Sequence, residues 1–235
     1  MRENDSIKFW YLNRINLLKE LPEDELQYIA RCSRMGKYKK SEVIYLQGDP
    51  ANHVYFLKEG RVKISIFSSE GREVTLAILE RGEIFGEVSL SDISKSDTQT
   101  QALQDTTICA IQRDDFLSVL KRNIDLSLKV TKFIGFRKHQ IERKLQDLVF
   151  KDVPTRLALL LLSLSDQYGE KTLEGIKLNI ILSHQELASL IGSTRETVSA
   201  FLSQWKKEGM VDSNGRNIIL LKERTLEQIA QVAVV

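Results

Sequence analysis

The stretch from Ser183 to Lys207, SHQELASLIGSTRETVSAFLSQWKK, limits what this chain can fold into more than any other. It reads as two short helices joined by a tight turn. Ser183 with Glu186, and Ser193 with Glu196, stand at capping-box spacing, so each pair predicts a helix start. Between them Gly192 takes positive φ cheaply and ends the first helix. Leu187, Leu190 and Ile191 form one apolar face, and Val198, Phe201, Leu202 and Trp205 form another at helical spacing. The outward side of the second helix opens with Thr194, Arg195, Glu196, Thr197 and Ser199. Those groups reach base edges and phosphates, and they sit where a helix-turn-helix enters the major groove. Ser183, His184 and Gln185 at the first helix start, with Ser193 in the turn, complete the candidate DNA-contacting set.

A helical hairpin with a solvated face would satisfy the same spacing. The residues that follow favour DNA. Gly209-Met210-Val211 closes the second helix, and Asn214-Gly215 then separates short segments rich in Val, Ile and Leu. Asn-Gly is a strong hairpin signal, so a two-stranded wing is expected after the recognition helix.

The run Gly192-Ser193-Thr194-Arg195-Glu196-Thr197-Val198-Ser199 resembles the recognition-helix signature of the cyclic-AMP receptor protein / fumarate-nitrate reductase regulator family (CRP/FNR). The resemblance implies that Arg195 and Glu196 read base pairs. The family's next position of interest is usually Arg, and here it is Ala200, so a different half-site is implied.

At 235 residues the chain has room for one large domain or two modest ones. A formal net charge of +2 neither requires nor excludes nucleic acid, because only clustered cations matter. Cys32 and Cys109 lie far apart and fit a reduced compartment better than a disulfide framework. They are too few for a four-thiolate iron–sulfur cluster, which argues against the oxygen-sensing branch. No signal-peptide pattern opens the chain, and the apolar run Leu157 to Leu164 is too short to span a membrane. A cytoplasmic protein is expected.

Residues 1 to 35 read as helical, with Pro22 near the start of a helix whose first turn is acidic. From Tyr38 the pattern turns to short alternating runs: Val43–Tyr45, Val54–Leu57, Val62–Ile66, Val74–Ile78 and Ile108–Ile111. Gly48, Gly60, Gly71 and Gly82 recur at the turn spacing of a β-barrel or jelly roll. Gly48-Asp49, the run Tyr55 to Gly60 and the run Gly82 to Glu87 also resemble the family's sensor domain, in order. A short helix then begins at Arg113, and a long one runs from about Asp125 to Phe150. Val130, Ile134, Ile141, Leu145 and Leu148 recur along it, with Arg137 interrupting the seam, and the resemblance implies a dimer helix. Pro154 marks a hinge. Thr155 to Tyr168 is helical again, and Gly169 to Asn179 is a passage from loop to strand.

The resemblance also bears on the sensor. In members that bind cyclic AMP, a Phe-Gly-Glu run serves the ribose, and Phe85-Gly86-Glu87 keeps it. The Arg that pairs with the cyclic phosphate is absent from Ser91 to Thr98, where Lys95 offers a charge without the planar fork. The hydroxyl pair that meets the adenine is replaced by Ile141 and Glu142. Gly86, Glu87 and Lys95 are therefore the candidate effector contacts, with a structural role open for Gly86 and Glu87. A jelly roll can also be a metal-dependent enzyme. However, His53, His139 and His184 are dispersed, and no phosphate loop or nucleophile elbow is present. His139 reads as a solvated helix residue rather than a haem ligand.

Together these readings predict an α+β chain. It comprises a β-roll sensor with N-terminal helices over 1–124, a dimerisation helix and hinge over 125–151, and a winged helix-turn-helix over 152–235. The expected function is a dimeric, sequence-specific DNA-binding transcription regulator without cofactor, metal or catalytic residues. Double-stranded DNA, RNA polymerase and a second copy are its expected partners, a small-molecule effector is left open, and a membrane is not expected. The alternative is a cytosolic sensor or enzyme-associated β-roll subunit whose helical tail makes only protein contacts.

Overall fold

The computed structural model describes residues 12, 15, 17–86, 95–214 and 217–231. The chain divides into two compact units, Met1–Gly71 with Leu76–Gln140, and Arg72–Thr75 with Ile141–Val235.

The first unit opens with α1 (Glu23–Cys32), which follows Pro22 and carries Glu23, Asp24 and Glu25 in its first turn. Carboxylates there face the positive end of the helix dipole. Eight strands follow: β1 (Arg34–Tyr38), β2 (Val43–Tyr45), β3 (His53–Glu59), β4 (Arg61–Phe67), β5 (Glu73–Glu80), β6 (Ile84–Gly86), β7 (Gln99–Ala102) and β8 (Thr106–Gln112). They form two four-stranded sheets, in the orders β1-β8-β3-β6 and β2-β7-β4-β5. All five alternating runs fall on strands. Gly48, Gly60, Gly71 and Gly82 all have positive φ, the conformation their turns require. Three strands gave no clear apolar signal: β1 and β7 are short and largely polar, and β6 has only Ile84 and Phe85 before Gly86.

Strand periodicity places two cores on opposite faces of one sheet. Along β3, Val54 and Phe56 join Ile84, Cys109, Ile111 and the helical residues Leu26, Ile29, Phe116 and Val119. Leu57 instead meets Val62, Leu79, Phe85 and Ile108 inside the roll, with Tyr45 and Tyr55 packed against them. Cys109 is fully buried, as its apolar context predicts.

After α2 (Arg113–Arg122) comes α3 (Ile124–Phe150), 27 residues long and so about 40 Å from end to end. Leu126 and Val130 are buried at its start. Leu128, Phe136, Leu145, Val149 and Phe150 are all more than half exposed, and Ile134 and Ile141 are partly so. Arg137 does not interrupt this row as its sequence position suggests. Its guanidinium lies over the Phe133 ring and donates to Glu83 Oε1 at 3.1 Å. The side chain therefore packs inward on its own unit.

In the second unit Asp152 caps α4 (Val153–Tyr168) by accepting from the Thr155 N–H, with Pro154 in the first turn, where its missing N–H costs nothing. The unit continues with β9 (Gly169–Lys171), β10 (Ile176–Leu178), α5 (His184–Ile191), α6 (Arg195–Lys207), β11 (Val211–Asn214), β12 (Asn217–Leu220) and α7 (Glu223–Gln231). The expected two-stranded wing is part of a four-stranded sheet, β11-β12-β10-β9. The 169–179 passage supplies the other two strands, which pair around Gly175. Asn214 is the last paired residue, opposite Asn217. Gly215, the second residue of the expected Asn214-Gly215 turn, lies outside the described residues.

Candidate nucleic-acid interface and sensor pocket

The α5–turn–α6 segment is fixed by local chemistry at each end. At its start the capping box closes fully: Ser183 Oγ accepts from the Glu186 N–H at 3.2 Å, and Glu186 Oε2 accepts from the Ser183 N–H at 2.5 Å. Gly192 ends α5 in the left-handed region, φ 61° and ψ 47°. A Cβ at Gly192 would also stand 2.6 Å from Leu148 Cδ2, so both conformation and space demand glycine. Ser193 does not cap α6. The cap is Thr194, whose Oγ1 accepts from the Thr197 N–H at 3.2 Å. The turn is one residue longer than the Ser193–Glu196 spacing alone indicates.

Beneath this frame Leu187, Ala188, Ile191, Val198, Leu202 and Trp205 are buried, whereas Leu190 and Phe201 are only partly covered. Arg156, which sequence reasoning passed over, ties the frame down. Its Nε donates to the Ile191 carbonyl at 2.9 Å and its Nη1 to the Lys151 carbonyl at 2.7 Å. One guanidinium thereby satisfies carbonyls left over at two helix ends. No motif announces such a role.

Of the candidate DNA contacts, Ser183, His184, Gln185, Thr194, Arg195 and Glu196 are exposed, and Ser193, Thr197 and Ser199 are half-buried. Ser183, His184, Gln185 and Arg195 line one open hollow across the two helices. His184 Nδ1 lies 2.7 Å from Ser199 Oγ, joining the first turn of α5 to the second turn of α6. At the far end of α6, Lys206 pairs with Asp212 of β11 at 2.7 Å and holds that carboxyl below its usual range.

The roll contains a pocket of about 210 Å³ lined by Tyr45, Pro50, Ala51, Asn52, His53, Tyr55, Gly86, Ser96, Asp97 and Thr98. Tyr45, Tyr55 and Phe85 stack beside it, with Tyr55 and Phe85 centroids 5.0 Å apart. Burial pushes the Tyr55 phenol up to about 12. Burial, then the Arg34 charge, lowers His53. Both groups are therefore neutral at physiological pH. Gly86 lines the pocket at φ 86°, so close to the strand opposite that a Cβ would fall 2.5 Å from the His53 carbonyl oxygen. Lys95 is exposed, bridges to Pro50 and lies just outside the lining, and Glu87 is outside the described residues. No cluster of metal-ligating side chains is present among the described residues, and no helix among them is long and apolar enough to cross a membrane.

Comparisons with known proteins point the same way. Residues 35–123 match the family model for a cyclic nucleotide-binding domain, and residues 155–229 match that for a Crp-like helix-turn-helix domain. The chain is similar to a global nitrogen regulator of Nostoc sp., 33% identical over 193 residues that span 81% of this chain and 86% of that protein. It is also similar to a cyclic AMP receptor protein of Thermus thermophilus, 31% identical over 91% of this chain and 96% of the relative. Among solved structures, a CooA mutant from Carboxydothermus hydrogenoformans aligns with a TM-score of 0.76 and 30% identity, covering 94% of this chain and 98% of that one.

Proposed function

The chain belongs to the CRP/FNR family of transcription regulators and carries a helix-turn-helix DNA-binding domain, and from this premise we propose a cytoplasmic homodimer that binds an inverted repeat and engages RNA polymerase there. The observation that carries the reading is the rigid α5–turn–α6 frame, capped at both helix starts, which presents Arg195, Glu196 and Ser199 above a buried Val198-Leu202-Trp205 face. A single recognition helix contacts too few base pairs for specificity, so symmetry supplies the second half-site. The exposed apolar row along α3, including Leu128, Leu145 and Val149, supports a second copy as its cover. Arg195 is the guanine-reading residue, its fork suited to two acceptors on one base edge. Half-site centres then lie about one helical turn, roughly 34 Å, apart. Sedimentation at micromolar protein with a selected duplex will give two chains per inverted repeat. A monomer bound to an isolated half-site would overturn the reading.

Cyclic AMP is not the effector on this reading. The described lining of the pocket includes Ser96, Asp97 and Thr98 and no arginine, so a cyclic phosphate has an acidic neighbour and no guanidinium fork there. The relatives named for nitrogen regulation and for cyclic AMP support a family in which different members answer to different signals.

A further inference from the structure

We propose that His184 is a proton-controlled contact to the DNA backbone, which makes binding tighter as pH falls. The inference rests on the DNA-binding reading of α5 and α6. His184 is the first residue of α5, where the helix presents its uncompensated N–H groups and the positive end of its dipole. It lines the same hollow as Arg195, so a phosphate lying there meets both side chains. An imidazole changes charge between about pH 5 and 8, within the range a cell experiences.

The contact with Ser199 gives the proton a second consequence. At 2.7 Å, His184 Nδ1 and Ser199 Oγ share one hydrogen. When the imidazolium forms, both ring nitrogens are donors: Nδ1–H occupies a Ser199 lone pair, and Nε2–H points its charge toward a phosphate. Ser199 then keeps its own O–H for the nucleic acid. In the neutral ring with Nδ1 as acceptor, Ser199 spends that hydrogen on His184 and meets DNA only as an acceptor. In that tautomer Nε2 already carries its hydrogen, so one proton turns the Nε2–H contact to the backbone into a charged one and reverses the hydrogen-bonding sense of a recognition-helix side chain.

Other charges around His184 set the balance. On its own helix, the Glu186 carboxylate is held by the Ser183 N–H in the capping box. On α6, Arg195 shares the hollow and opposes a second cation, and Glu196 follows it in the same exposed turn. Residues Asn179 to Leu182, which lead into the cap, carry no ionisable side chain. A bound phosphate shifts the balance toward imidazolium.

The test is fluorescence anisotropy of a labelled duplex selected from a random-sequence pool, between pH 5.5 and 8 at fixed salt. Wild-type affinity rises about tenfold toward the acidic end. The slope of log affinity against log salt steepens by about 1.8 there, since in each of two subunits the contact to one phosphate gains a cation. His184→Gln removes both effects, and His184→Arg binds tightly without pH dependence. Ser199→Ala keeps the salt effect but loses the pH-dependent change in base preference. An unchanged pH profile in His184→Gln would sink the proposal while leaving the DNA-binding reading intact. No binding by any folded variant, wild type included, would sink both.

Discussion

At the scale of single residues, the proposed reading of DNA turns on Arg195 and Ala200. Arg195 is exposed in the first turn of α6, the turn from which a helix-turn-helix contacts base edges. Arg195→Ala is expected to weaken specific binding by about 1–3 kcal/mol and to relax preference at one position per half-site. A selection experiment reads this directly. A uniform loss across all sequences would instead make Arg195 a phosphate contact. Ala200 is exposed on the same helix, so Ala200→Arg has room to reach the DNA, and it will change the selected half-site without changing the melting temperature.

At the scale of elements, the first unit is held in part by a polar clasp between α1 and α2. Arg122 donates to both carboxylate oxygens of Glu25, at 2.8 and 3.0 Å, and its guanidinium lies over the Tyr28 ring. Tyr28 in turn donates to Asp115 of α2 at 3.0 Å. The hydrogen bond from Arg122 is the main cause that lowers the Glu25 pKa from its ordinary value of 4.5. A carboxyl depressed in the folded state stabilises it above that value, and the contribution is lost as pH falls through the folded pKa. Melting temperature against pH will therefore drop less steeply below about pH 4.5 in Glu25→Gln than in wild type, from a lower neutral plateau. Identical acid limbs in the two proteins would show that the clasp contributes nothing.

For the whole molecule, the question is which signal the regulator answers. A ligand at about one hundred times its dissociation constant stabilises a folded protein by roughly 2.7 kcal/mol, which a melting curve detects easily. Millimolar cyclic AMP or cyclic GMP is expected to leave the melting temperature of the intact chain unchanged, because the described pocket lining includes Asp97 and no arginine. Micromolar cyclic AMP binding that also tightened DNA affinity would refute this. Lys95, exposed and adjacent to Ser96 in the chain, is the residue to replace first in that event.

The architecture was legible in the sequence where periodicity and turn chemistry agree. The five alternating runs, the four turn glycines, the long amphipathic helix and the Ser183–Glu186 cap are all local signals, and a local signal needs no knowledge of what packs against it. The strands β1, β6 and β7 were not legible, because they are short, or polar along much of their length, and are strands only by virtue of the neighbours that bond to them. The 169–179 passage reads as loop to strand, and β10 lies there; β9 was not legible, and only pairing shows that the two turn a two-stranded wing into a four-stranded sheet. In the site, the sequence determined which side chains are presented: Arg195, Glu196 and their neighbours follow from the helix start and its apolar face. Tertiary structure decided how they are held. The cap of α6 is Thr194 rather than Ser193, Arg156 found two orphan carbonyls, and Arg137 turned inward to Glu83. The His184–Ser199 contact joins residues fifteen apart in sequence, and only the crossing of two helices brings them within 2.7 Å.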